Sequence, residues 1–105
     1  MFDLKGIMQK AKNMQANVKA AQEELREMSF VGDVSEGLVV ITINGAKEVL
    51  SVHIDNGMLT EGTQMLEDVL IATFNDALKK CSEVAKKKMA DATGNLGIGI
   101  PDGLV

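Results

Sequence analysis

Residues Leu38 to Asp55, LVVITINGAKEVLSVHID, decide the fold of this chain. Val39, Ile41 and Ile43 alternate against Leu38, Val40 and Thr42, the period of two that belongs to a strand. Because this strand, Leu38 to Asn44, is apolar on both faces at its start, it is expected at the centre of its sheet. Asn44-Gly45 follows, and since both residues tolerate positive φ the pair predicts the type I′ turn of a hairpin. The return strand, Lys47 to Asp55, puts Leu50, Val52 and Ile54 on one face and Ser51 and His53 on the other. Upstream, Phe30 to Ser35 reads as a short first strand that enters the hairpin through a turn at Glu36-Gly37. Asp55-Asn56-Gly57 closes what is expected to be a three-stranded antiparallel β-meander.

Long helices flank the meander. Residues 3 to 28 carry a heptad seam in which Leu4, Ala11, Val18 and Leu25 recur every seven residues, with Ile7, Met14, Ala21 and Met28 three positions later. Such a narrow seam requires a facing helix. The second helix is expected over Thr63 to Ala92, with Thr63 as its N-cap and Gly94 just beyond its end. Its first half, Met65 to Leu78, is apolar nearly all round and should be buried on more than one side. Its second half sets Ala77, Cys81, Val84 and Ala85 opposite a lysine-rich face. The fold class is therefore α+β: one domain over residues 1–92, ordered helix, three strands, helix, followed by a Gly-rich tail, 93–105, read as flexible.

Lengths add an expectation about assembly. Helices of about 26 and 30 residues span ~39 and ~45 Å, whereas strands of about seven residues span ~23 Å. Both helices must overhang their sheet. Apolar edges left in water cost on the order of 25 cal/mol per Å², so the chain is expected to pair with a copy of itself as a homodimer with projecting helical arms.

At 105 residues, the 46% hydrophobic content argues against disorder throughout, and no apolar run approaches the ~18 to 20 residues of a membrane span. The chain opens without the pattern of a signal peptide, so the cytoplasm is the expected compartment. Cys81 is the single cysteine and is read as core. The net charge of -4 conceals a sharp distribution. Residues 1–22 carry +3, residues 23–78 carry -9, residues 79–88 carry +4 and the remainder -2. Two basic helical segments thus enclose an acidic middle, a pattern that speaks of partners.

Several words of this sequence, in order, carry a resemblance. GLVVITING at Gly37 to Gly45 with Ala46 after it, VHID at Val52 to Asp55, MLED at Met65 to Asp68 and FNDAL at Phe74 to Leu78 resemble the YbaB/EbfC family of bacterial nucleoid-associated proteins. The similarity spans nearly the whole chain. It implies a cytoplasmic, nucleoid-associated homodimer shaped like tweezers, whose projecting helices contact double-stranded DNA, without catalysis or cofactor. The family's words describe strands, a hairpin and a packed helix, so they name no phosphate ligand.

Candidate DNA-contacting residues come instead from charge placement. Lys5, Lys12, Lys19 and Arg26 form a stripe roughly 130° from the seam, with Lys10 beside it, and Lys79, Lys80, Lys86, Lys87 and Lys88 form a second cluster. Lysines on the solvent edge of a helix ordinarily only solubilise it. A merely solvated helix, however, mixes Glu with Lys at i,i+4, and between Leu4 and Gln22 there is no acid at all. Direct base reading has little to rest on, because Arg26 is the only arginine and lies among Glu23, Glu24 and Glu27. Phe2, Phe30 and Phe74 offer no stacking platform for single strands. One His and one Cys cannot assemble a zinc site, His53 reads as a surface residue, and Gly97, Gly99 and Gly103 miss the dinucleotide spacing. No enzyme, cofactor, metal, membrane or small-molecule substrate is therefore expected. The alternative function is a dimeric helical adaptor that binds another protein through its seam and acidic middle.

Overall fold

A computed structural model describes residues 4–94. The chain runs α1 (Leu4–Glu27), β1 (Ser29–Gly32), β2 (Val39–Asn44), β3 (Val49–Ile54), α2 (Asn56–Leu59) and α3 (Thr63–Ala92). The three strands form one antiparallel sheet in the order β1-β2-β3, so β2 is central as its two-faced apolar start requires. The helix, three strands, helix order of the α+β expectation is met. Residues 95–105, which hold most of the tail read as flexible, lie outside the described residues.

α3 lies across β1 and β2, and the core forms between them. Val39, Ile41 and Ile43 point from β2 onto Ala77, Cys81 and Ala85 of α3, and all six are buried. Small residues on α3 let it approach the sheet closely. At Gly32 a Cβ would collide with the Thr73 carbonyl, so β1 and α3 touch backbone to backbone there.

Beyond the sheet, α3 continues beside α1. Ala21 and Leu25 are buried, and Val18 and Met28 pack against the same core. The lower seam thus finds the facing helix it requires within its own chain. The upper seam does not: Leu4 is 62% and Ile7 49% exposed. Overhang is confirmed by a molecule 72 Å long and only 21 by 17 Å across.

Several local expectations are corrected. The type I′ geometry sits at Glu36-Gly37, where both central φ values are positive, 54° and 90°. At the second hairpin Gly45 and Ala46 are the middle of a turn closed by Lys47 N–H to Asn44 O at 3.0 Å, and it is Lys47 that takes φ 64°. Asn44 serves there through its side chain, not through positive φ: Oδ1 accepts from Ala46 N–H and Glu48 N–H at 2.9 and 3.0 Å. Gly45 is required by crowding, since a Cβ would run into the Leu25 carbonyl. β1 ends at Gly32 rather than Ser35, because the Asp33 carboxylate accepts from Ser35 and Gly37 N–H and bends the chain. A register shift between Thr42 and Ile43 leaves Val49, not Leu50, opposite Ile43.

Asp55-Asn56-Gly57, read as a plain turn, starts the short helix α2, with the Asp55 carboxylate accepting from Gly57 N–H at 2.9 Å. Thr63 is the first residue of α3 and not its cap; the cap position is Gly62 at φ 97°, with no side-chain bond. Gly94, at φ 71°, ends α3 as expected. The first half of α3 is buried on one face only in the single chain: Leu66, Val69, Leu70 and Phe74 pack inward, while Ile71 is 62% exposed. The sheet has only one layer above it, so the other apolar face is left to solvent.

Candidate nucleic-acid interface

The basic residues of α1 stand on its projecting part. Lys5, Lys10, Lys12 and Lys19 are all exposed, on a helix whose described stretch holds no acid before Glu23. Helical repeat sets their spacing: Lys5, Lys12 and Lys19 are seven residues apart, about 10 Å per step along the axis, and only ~20° apart around it. Arg26 is exposed as well but sits at the base of the arm, where it lines a shallow surface groove with Lys19, Gln22, Glu23 and Glu27. Its surroundings are mixed in charge, as the sequence implied.

The cluster on α3 divides. Lys79 and Lys87 are exposed, and Lys86 is exposed beside them. Lys80 is engaged in the fold: its ammonium donates to the Val31 carbonyl at 2.8 Å and pairs with Asp76 Oδ2 at 3.1 Å. Asp76 also accepts from Asp33 N–H at 3.0 Å. That backbone hydrogen bond, followed by the hydrogen bond from Lys80, holds the Asp76 carboxyl below the ordinary carboxylate range. Lys88 is partly buried between the helices and pairs with Glu24 Oε2 at 2.9 Å. Asp76 and Glu24 are therefore the partners that sequence reasoning missed. The first is visible as an i,i+4 pair on α3; the second joins residues 64 apart and has no local signal.

The two basic segments end up on antiparallel neighbours. α1 runs from the arm toward the sheet and α3 runs back, so Lys88 lies level with Glu24 while Lys80 reaches β1. The acids Glu23, Glu24 and Glu27 interrupt the positive surface between the arm and the α3 cluster, and the longest acid-free basic surface is that of α1 from Leu4 to Gln22.

No group of three or more His, Cys, Asp or Glu among the described residues could hold a metal ion. His53 is exposed on β3. Cys81 is fully buried, and burial pushes its thiol pKa up against a small opposing pull from Lys47. It packs as core and its Sγ lies 3.9 Å from the Gly45 carbonyl. No helix among the described residues is long and apolar enough to cross a membrane.

Comparison with known proteins agrees with this geometry. The family model for the YbaB/EbfC DNA-binding family matches residues 1–96. Nucleoid-associated proteins of Francisella tularensis subsp. tularensis (strain WY96-3418) and subsp. holarctica (strain OSU18) are each 37% identical over 105 residues, covering 98% of this chain and 94% of theirs. The crystal structure of an uncharacterised protein from Helicobacter pylori superimposes with a TM-score of 0.73 over 83% of this chain and 92% of that one, at 21% identity, and so shares the fold. By the extent of the family match and by the identity of its curated relatives, this chain belongs to the YbaB/EbfC DNA-binding family.

Proposed function

We propose that this protein is a nucleoid-associated, DNA-binding homodimer whose α1 arms gather phosphate contacts on double-stranded DNA. The observation that carries the reading is the exposed, acid-free basic stretch of α1 from Leu4 to Gln22, on a helix that projects from the core of a member of a DNA-binding family. Lys5, Lys10, Lys12 and Lys19 are assigned to phosphate, with Arg26, Lys79 and Lys87 as flanking contacts. Lys80 and Lys88 act in the fold instead, because each already holds an in-chain carboxylate. A backbone-dominated mode has little sequence preference and serves nucleoid organisation or gene expression through occupancy of many sites.

Pairing of two copies is supported by the apolar surface one chain leaves open. β3 is an edge strand, and Val49, Leu50 and Val52 on it are about half exposed. Ile71 and Met65 of α3 are exposed as well. An uncovered apolar edge strand requires a partner or invites aggregation.

The test is a titration of duplex DNA across salt, run beside a light-scattering mass. Counterion release predicts that log affinity falls linearly with log salt, with a slope of about -0.9 per phosphate neutralised, and the mass should be that of two chains. No measurable duplex binding at about 50 mM salt, or a single-chain mass at micromolar concentration, overturns the reading. Salt-independent capture of a protein instead of DNA favours the adaptor.

A further inference from the structure

α3 covers one flank of the α1 seam and leaves the other bare. It ends beside Asn17, Ala20 and Ala21, and the Lys88–Glu24 pair closes that flank. On the open flank Ala11, Met14, Gln15 and Val18 form one largely apolar strip, which Leu4, Ile7 and Met8, all three exposed, continue to the tip of the arm. The strip is symmetric about Ala11. Leu4 and Val18 lie seven residues to either side of it, Ile7 and Met8 four and three residues before it, and Met14 and Gln15 three and four residues after it. None of these positions carries a charge. A helix face in that order is its own complement when turned end for end. A foreign helix would not require the symmetry, and it is the symmetry that selects a second copy.

We propose that this strip docks on the same strip of α1 from a neighbouring dimer, antiparallel, with the two-fold axis at Ala11. Leu4 then meets Val18, Met8 meets Met14 and Ile7 meets Gln15 of the other copy, while alanine against alanine lets the helix axes approach. Symmetry also places the lysines. A two-fold axis perpendicular to both helices brings Lys5, Lys12 and Lys19 of both arms to one surface of the pair and Lys10 of both to the opposite one. Two arms thus offer a single duplex one double row of ammonium groups. That shared surface rests on the phosphate assignment made above; the docking of the strips does not. The size of the overlap sets when it forms. Residues 4–18 give ~21 Å of contact and on the order of 900 Å² buried in total, below the ~1,200 Å² at which stable interfaces begin, and the double row of lysines repels itself in the free protein. Phosphate bound across the rows removes that repulsion. Arm pairing is therefore weak in solution and strong on DNA, which makes duplex binding cooperative between dimers.

Cysteine crosslinking of the full chain reads the contact directly. With helix axes ~8–10 Å apart, the two Cα atoms at position 11 stand about 5 Å from each other, within disulfide reach, whereas Ala16 lies about 140° away around the helix. Under mild oxidation Ala11→Cys should give about tenfold more disulfide-linked chain than Ala16→Cys, and more again with duplex DNA present, in a product whose native mass is that of four or more chains. Cys81 is buried and common to both variants. Equal crosslinking at the two positions overturns the proposal. So does a linked product of two-chain native mass, which would place the contact inside one dimer. A second variant, I7Q/M8Q, changes only exposed side chains. It should bring crosslinking of Ala11→Cys down to the level of Ala16→Cys and lower the Hill coefficient on a duplex of several turns from about 2 to about 1, with the salt slope unchanged. Undiminished cooperativity in I7Q/M8Q also overturns the proposal. Preferential crosslinking at position 11 in a chain that binds no duplex would uphold the docking and sink the proposed function alone.

Discussion

The Lys88 ammonium lies 2.9 Å from Glu24 Oε2 and ties the last third of α3 to the base of the α1 arm. Two residues drawn from opposite charge blocks of the sequence thus neutralise each other, and Lys88 leaves the set available to phosphate. Glu24 is well exposed, so the pair is screened. We predict that Lys88→Met costs no more than about 1 kcal/mol in chemical denaturation and leaves the salt slope of duplex binding unchanged. A slope flattened by about one unit would return Lys88 to the DNA contacts.

Gly45 and Gly32 should be intolerant of even a methyl group. Each faces a backbone carbonyl, Leu25 at the arm base and Thr73 beneath β1, that cannot move aside as a side-chain tip could. Gly45→Ala and Gly32→Ala are each expected to lower stability by about 1–3 kcal/mol or more, read from the denaturation midpoint. Gly37→Ala meets no neighbour; its cost comes only from the positive φ, and it should be milder, about 1 kcal/mol.

Thr73 offers the opposite case. Its Oγ1 is buried and without a hydrogen-bond partner among the described residues. Replacing an unsatisfied buried hydroxyl by a methyl of the same shape removes a desolvation penalty, so Thr73→Val is expected to raise stability by about 1 kcal/mol. A loss on thermal or chemical denaturation would show that the hydroxyl is satisfied.

Asp76 sets an acid dependence. Its carboxyl is held below the ordinary range by the Asp33 N–H and by Lys80, so the folded state favours the ionised form. The stabilisation is complete above the unfolded value of about 4 and is lost as pH falls from there through the depressed folded value. Stability measured from pH 7 to pH 2 should therefore decline less in Asp76→Asn than in the parent chain, which starts higher and converges on the variant at low pH. Parallel curves would remove Asp76 from the acid transition.

Local patterning made most of this fold legible. The heptads of Leu4 to Met28 and the alternation of Val39, Ile41 and Ile43 each report one buried face, and burial followed them wherever a neighbouring element exists. What periodicity does not encode is where that neighbour ends. Leu4 and Leu25 are equivalent seam positions, yet only Leu25 lies beside α3. Turn geometry was misplaced for a related reason. Asn44-Gly45 carries the residues of a positive-φ turn, but the Asn44 carboxamide and the Leu25 carbonyl determine those identities, and Lys47 and Glu36, with no such signature, take the positive φ.

The site was legible as charge and not as pairing. The acid-free stretch from Leu4 to Gln22 can be read directly, and the structure leaves its lysines exposed on a projecting helix. The lysines of α3 look equivalent in the sequence, and only the packing of α3 against β1 and α1 separates Lys80 and Lys88 from their neighbours.

The most direct measurement is the salt dependence of duplex DNA affinity for the parent chain and for K5A/K12A/K19A. If the α1 arm binds phosphate, the slope of log affinity against log salt should flatten by about three units in the triple variant, with no change in chemical stability. Identical slopes in the two proteins, both folded, would contradict a phosphate-binding arm.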